Sequence, residues 1–308
     1  MRHAAALLFL LLATSAAEAG EMRELDHGGR TRSFYLHASA ALPPGAPLVF
    51  ALHGAGGNGR VAVEQYGWQA KADTERFAVV GPDASPAFAD RPPAFATNPR
   101  AWNDGTGRGS PHIQSSDDAG FIVALINRLA AELRLDRTRV YVAGFSSGGS
   151  MTARLGQELP TRIAAIAPSA SAMADLGRPK ARAMPVHYLS GDLDPLNPVE
   201  AGEVRLPWGG SMMRESHRTQ IDRWRRLADC PPTLTAPPPA PNARLEIAGP
   251  CRDGAEVRYL LIEGFGHHWP GRPRGGLPEH LVGPWSATLD GTDAIWRFFS
   301  RFRAPAAP

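Results

Sequence analysis

The chain has 308 residues, 43% of them hydrophobic and 20% charged, which is enough apolar material for a sizeable core and excludes global disorder. Its net charge of +3 is carried mostly by arginines without a dense basic run, so no nucleic-acid partner is expected. Met1-Arg2-His3, the apolar Ala4–Ala13 and then Ala17-Glu18-Ala19 read as a secretory signal peptide over residues 1–19, its apolar part too short to span a bilayer. Gly20 is the expected mature start, and cleavage removes Arg2 and Glu18 together, leaving the charge at +3. No cysteine follows the apolar stretch, so no lipid or membrane anchor is expected and the mature chain is read as secreted, periplasmic or extracellular.

Arg32–Ser39 and Pro47–Leu52 read as strands, the second a nearly unbroken apolar run that belongs in the middle of a sheet covered on both faces. His53-Gly-Ala-Gly-Gly-Asn-Gly59 is glycine-rich loop. Val63–Arg76 reads as helix and Phe77–Pro82 as another buried strand, while Asp83–Ser116, with its prolines, glycines and Trp102, reads as a long irregular excursion. Asp117 and Asp118 open a helix as capping residues, with Phe121, Ile122, Leu125, Leu129 and Leu133 at helical spacing. A strand from Val140, a helix over Ser147–Glu158, strands at Ile163–Ala167 and Pro185–Leu189, a helix over Ser211–Ala228, a strand at Glu256–Glu263 and a closing helix Thr292–Phe299 follow. This alternation predicts an α/β fold with a mostly parallel sheet, and residues 20–308 form one domain because no linker separates two complete cores.

The two cysteines, Cys230 and Cys251, both lie in the exported portion and are expected to pair. The ring would staple the proline-rich stretch Pro231–Pro241, contributing on the order of 3 kcal/mol. Neither has a histidine nearby in sequence, which disfavours a catalytic thiol.

Gly144-Phe-Ser-Ser-Gly148 sits between an apolar strand and a helix. Glycines on both sides of Ser146 allow a sharp strand-to-helix turn that lifts the hydroxyl clear of the sheet, making Ser146 a candidate nucleophile. A serine needs a base, and the base needs an orienting acid. In this architecture the acid and then the histidine follow the serine in the chain. Two loops downstream qualify, Ser190-Gly-Asp192-Leu-Asp194-Pro195 and Gly264-Phe-Gly-His267-His268-Trp-Pro-Gly271. Both lie just past the carboxyl ends of strands, where open α/β sheets build their sites. On residues alone the acid is Asp192 or Asp194, or the first loop is only a polar turn. The histidines could be a metal pair, but adjacent side chains rarely converge on one ion and no third ligand is evident, so no metal or cofactor is expected. For an oxyanion, the N–H of Ser147 is one donor and the His53–Gly56 loop supplies the second, with Ala55 preferred over its neighbour Gly56. His53 is expected to brace that loop rather than transfer protons. Trp102 and Trp269 are candidates to line a substrate pocket, Trp269 being nearer the histidines, and an aromatic there could equally pack the loop.

Together, Leu52-His-Gly-Ala-Gly-Gly-Asn58, Gly144–Met151, Asp192–Pro195 and Gly264–Gly271 resemble one family of secreted esterases. It comprises polyhydroxybutyrate depolymerases and the feruloyl and acetylxylan esterases of carbohydrate esterase family one. The resemblance extends from about Arg32 to Phe299. It implies an α/β-hydrolase fold, a mostly parallel central sheet flanked by helices, and a serine carboxylic-ester hydrolase with a Ser/Asp/His triad. The family's Gly-x-Gly-His-x-Trp-Pro-Gly motif implies His267 as the base and leaves His268 in a variable slot. Its His-Gly-x-x-Asp motif implies Asp194 as the acid, although Ser190 stands where the family has histidine. Dedicated polymer depolymerases also carry a linker and a polymer-binding domain. Neither is expected here, which favours soluble or oligomeric esters, whether hydroxyalkanoate, feruloyl or acetyl. A serine peptidase, or a non-enzymatic binding protein on the same fold, is the alternative.

Overall fold

The computed structural model describes residues 20–177, 181–206, 210–287 and 289–306; the expected signal peptide lies outside them. Strands β1 (Glu21–His27), β2 (Arg30–Ala38) and β3 (Leu48–Leu52) precede helices α1 (Gly59–Glu64) and α2 (Trp68–Glu75) and strand β4 (Ala78–Pro82). The excursion over 83–116 contains the two-residue strands β5 (Ser85–Pro86) and β6 (Arg100–Ala101) and the one-turn helix α3 (Pro111–Gln114). Helix α4 (Asp118–Glu132), strand β7 (Val140–Phe145), helix α5 (Ser147–Glu158) and strands β8 (Ala165–Ser169) and β9 (Val186–Gly191) come next. The hairpin β10 (Gly202–Arg205) and β11 (Ser211–Arg214) leads to helix α6 (His217–Leu227), and strands β12 (Leu234–Ala236), β13 (Ala243–Ala248) and β14 (Val257–Ile262) follow. Helices α7 (Glu279–Val282) and α8 (Gly291–Phe299) end the series.

Ten strands form one sheet in the order β1-β2-β4-β3-β7-β8-β9-β14-β13-β12. The six central strands, β4 through β14, run parallel. Pairs β1–β2 and β13–β12 extend the edges in antiparallel sense. The apolar run of β3 has a physical reason: Leu48, Phe50 and Leu52 pack into one core, Val49 and Ala51 into another. Strand β7 divides likewise, with Val140 and Val142 on one side and Tyr141 and Ala143 on the other. Side chains alternate across a strand, so a strand covered on both faces must be apolar at every position. Phe121, Leu125, Leu155, Ile221 and Trp224 from α4, α5 and α6 close the first core. Ala62, Trp68, Ala72, Ile295 and Phe299 from α1, α2 and α8 close the second.

Two expected helices differ. The run Val63–Arg76 is broken because Gly67 takes φ of 80° between α1 and α2. Residues 211–228 are not one helix: Ser211–Arg214 pairs antiparallel with Gly202–Arg205. The helix begins only where the Ser216 side chain accepts the N–H of Thr219, so Met212 and Met213, inside the expected helix, belong instead to a strand. Asp117 does cap α4, accepting the Gly120 N–H at 2.9 Å. Asp118 has another task, as its carboxylate binds Arg32 at 2.8 Å and the Asn103 N–H at 2.8 Å, pinning the excursion to the sheet. Cys230 and Cys251 form a disulfide whose ring encloses the edge strands β12 and β13. Among the described residues no helix is long and apolar enough to cross a membrane.

Candidate active site

The turn from β7 into α5 is tight for a packing reason. A Cβ on Gly144 would lie 2.2 Å from the Gly148 carbonyl oxygen, and one on Gly148 would lie 2.4 Å from that of Leu52. Only glycine at both positions lets the chain fold back this closely. Ser146 then sits at φ 54° and ψ −120°, a region costly for any residue with a Cβ. Its N–H is tied to the Ser169 carbonyl at 2.9 Å, so the ends of two parallel strands hold the strained residue.

The loop after β14 brings His267 to this serine: Nε2 lies 2.9 Å from the Ser146 hydroxyl oxygen. Its Nδ1 lies 2.8 Å from Asp194 Oδ2. The other carboxylate oxygen of Asp194 accepts the N–H groups of Leu196 and Asn197 at 2.8 and 2.9 Å. Those donors satisfy a carboxylate that is only 2% exposed. Asp192 and His268, the competing candidates, are brought elsewhere. Asp192 accepts the Gly264 N–H at 2.7 Å, bracing the histidine loop, and His268 Nε2 faces the Gly283 carbonyl at 3.1 Å. Burial pushes the pKa of His268 down, favouring a neutral ring that donates to that carbonyl. Among the described residues no group of three or more His, Cys, Asp and Glu side chains is arranged to hold a metal ion.

Ala55, Trp102, Ser146 and Ser147 line one cavity of about 220 Å³. In the glycine loop, Gly56 N–H is committed to the Arg100 carbonyl at 2.8 Å, which leaves Ala55 as the donor candidate there. Ser147 opens α5, and the first N–H groups of a helix have no intrahelical acceptor. His53 is fully buried, with Nδ1 donating to the Gly54 carbonyl at 2.7 Å and Nε2 accepting the Ala84 N–H at 3.1 Å. That pattern requires a neutral ring, in keeping with a pKa pushed down to about 4 by burial. The Trp102 indole N–H donates to the His53 carbonyl at 2.9 Å and so fixes the same loop. Trp269 and His267 line a second cavity of about 200 Å³. Trp269 is buried, stacked on Tyr66 at 4.6 Å, and donates to Thr292.

Three features of the site carry no local sequence signal. Asn197, whose N–H holds Asp194, is hydrogen-bonded through its side chain to Tyr188 at 2.7 Å and His217 at 2.9 Å. This buried polar group underpins the acid from α6 and β9. Arg214 and Arg108 also line the cavity beside Ser146, brought there by the hairpin that was expected to be helix and by the excursion.

A family model described as esterase PHB depolymerase matches residues 31–207, more than half of the chain. The chain belongs to this family. It is 28% identical over 245 residues to the bifunctional acetylxylan esterase/xylanase XynS20E of Neocallimastix patriciarum, covering 78% of this chain and 31% of that protein. It is 29% identical over 205 residues to feruloyl esterase B of Piromyces equi, covering 65% and 36% respectively. The chain thus spans about a third of the length of these two relatives. An acetyl xylan esterase from Aspergillus awamori superposes with a TM-score of 0.58 at 14% identity, covering 91% of this chain and 99% of that structure. At that identity the likeness concerns the fold, the α/β-hydrolase arrangement of a mostly parallel sheet between helices.

Proposed function

We propose that the chain is an exported serine hydrolase of carboxylic esters working through an acyl-enzyme, with residues 20–308 as its single catalytic domain. The observation that carries the reading is the unbroken chain Ser146–His267–Asp194, with links of 2.9 and 2.8 Å. His267 takes the Ser146 proton as the hydroxyl oxygen attacks the ester carbonyl, and Asp194 holds the ring in the tautomer that leaves Nε2 free to accept. The N–H groups of Ser147 and Ala55 stabilise the oxyanion. His267 then protonates the leaving alcohol, and in the second half-reaction it activates the water that releases the acid.

The family and its relatives support esters of hydroxyalkanoate oligomers or feruloyl and acetyl esters of plant polysaccharide as substrates. The cavity lined by Ser146 and Trp102 and the cavity lined by His267 and Trp269 would take the acyl and alcohol parts. Export is supported by the leader-like N-terminus and by the disulfide. A fluorophosphonate probe should label the protein on the tryptic peptide containing Ser146. Labelling at another residue, or none, would reject the reading. A rate panel of methyl ferulate, acetylated xylan and hydroxybutyrate oligomers should single out one ester class, and equally poor rates on all three would reject the substrate assignment.

A further inference from the structure

The cavity beside Ser146 has a charged wall that ester hydrolysis does not itself require. Arg214, the last residue of β11, and Arg108, in the excursion, both line it, against the one lining carboxylate among the described residues, Asp104. Arg108 is already paired: its guanidinium meets Asp104 and its Nε donates to Thr106 at 2.7 Å. Arg214 differs. Its Nε donates to the Leu196 carbonyl at 3.2 Å, and among the described residues no carboxylate forms an ion pair with it.

A half-buried guanidinium beside Leu196, Leu206 and Met212 has lost water without gaining an acid. Burial and then Arg108 push its pKa down, and Tyr188, Asp194 and Asp104 offset this only in part. A structural arginine would normally be matched by a carboxylate. This one leaves its planar fork uncompensated in the same cavity as the nucleophile. Such a fork binds a carboxylate through two parallel N–H···O bonds.

We infer that Arg214 recognises a carboxylate on the substrate, so that the preferred esters carry a free acid group close to the scissile bond, as short acid-ended ester oligomers do. The inference rests on Ser146 being the nucleophile, and it specifies the substrate of that site.

The test compares kcat/KM within two pairs of esters that differ only in charge. One pair is the 3-hydroxybutyrate dimer and its primary amide, with the acid on the alcohol side. The other is monophenyl glutarate and phenyl glutaramate, with the acid on the acyl side. The wild-type enzyme should favour the acid in at least one pair. Arg214→Gln should reduce that preference by about ten-fold or more, the loss of a charge-assisted pair, and Arg214→Lys should keep part of it. The ratio is independent of how much of a variant is folded. No preference for the acid in either pair, or a preference unchanged in Arg214→Gln, would overturn the inference while leaving the esterase reading intact. Hydrolysis that does not depend on Ser146 would instead overturn that reading and the inference with it.

Discussion

Asp192 and Asp194, two residues apart, serve the same histidine in different ways. Asp194 meets the His267 ring at 2.8 Å, whereas Asp192 accepts the backbone N–H of Gly264 at 2.7 Å and so holds the loop that carries the ring. Asp194→Asn should therefore lower kcat by about four orders of magnitude, the scale seen when the orienting acid of a serine triad is made neutral. Asp192→Asn keeps an acceptor oxygen for Gly264 and should lower kcat less than about ten-fold, with a stability loss near 1 kcal/mol. Equal losses in the two variants would mean that the acid has been misassigned.

The elbow tolerates no side chain on its flanks. Gly148→Ala would set a Cβ 2.4 Å from the Leu52 carbonyl oxygen, which is backbone and cannot swing away. Thermal and urea unfolding should show a loss of about 1–3 kcal/mol, the usual cost of forcing atoms into a packed site. Activity should fall further than stability, because α5 must shift away from β3 and carries the Ser147 N–H with it. A variant with wild-type stability and turnover would refute the close-packing account.

The disulfide ties α6 to the edge of the sheet. Replacing Cys230 and Cys251 together by alanine should cost about 3 kcal/mol, as expected for a ring with a sequence separation of 21. Urea midpoints of the oxidised wild type and the double variant would measure it. Because β12 and β13 lie far from Ser146 in the sheet order, kcat of the folded variant should stay within about two-fold of wild type.

Three buried histidines make stability depend on pH. Burial holds the pKa values of His53 and His217 down at about 4 and that of His187 at about 3, below an unfolded value of about 6.5. The unfolded chain therefore binds protons first as pH falls. The stabilisation is fully present above about pH 6.5 and is lost progressively as pH drops toward 4. Denaturation midpoints at pH 7 and pH 4.5 should show the decline, and replacing His217 by glutamine should make it shallower. A flat profile would mean that these rings are not held neutral.

The central strands and the elbow were legible in the sequence because the two-sided burial of β3 and β7 demands unbroken apolar runs. The glycines around Ser146 are demanded just as strictly, by backbone contacts. The loops holding Asp194 and His267 could be found from chain order, and the choice between Asp194 and Asp192 needed a motif or coordinates, since both aspartates accept backbone N–H groups. Strand β1, with its charged Glu21, Arg23, Glu24 and Asp26, shows little strand character because it is a half-exposed edge. The pairing of β10 with β11 escaped detection because Met212 and Met213 sit directly before an amphipathic helix. The excursion could not be placed from local pattern. Its position depends on the long-range links from Asp118 to Arg32 and Asn103, and with it went Arg108, as Arg214 went with the strand pair β10–β11.

The most direct test of the account is the turnover of Ser146→Ala on an aryl butyrate, alongside its melting curve. The account predicts a variant that folds like the wild type, since among the described residues the serine side chain bonds only His267, and whose kcat is lower by several orders of magnitude. A folded variant retaining near-wild-type turnover would contradict the assignment of Ser146 as the nucleophile.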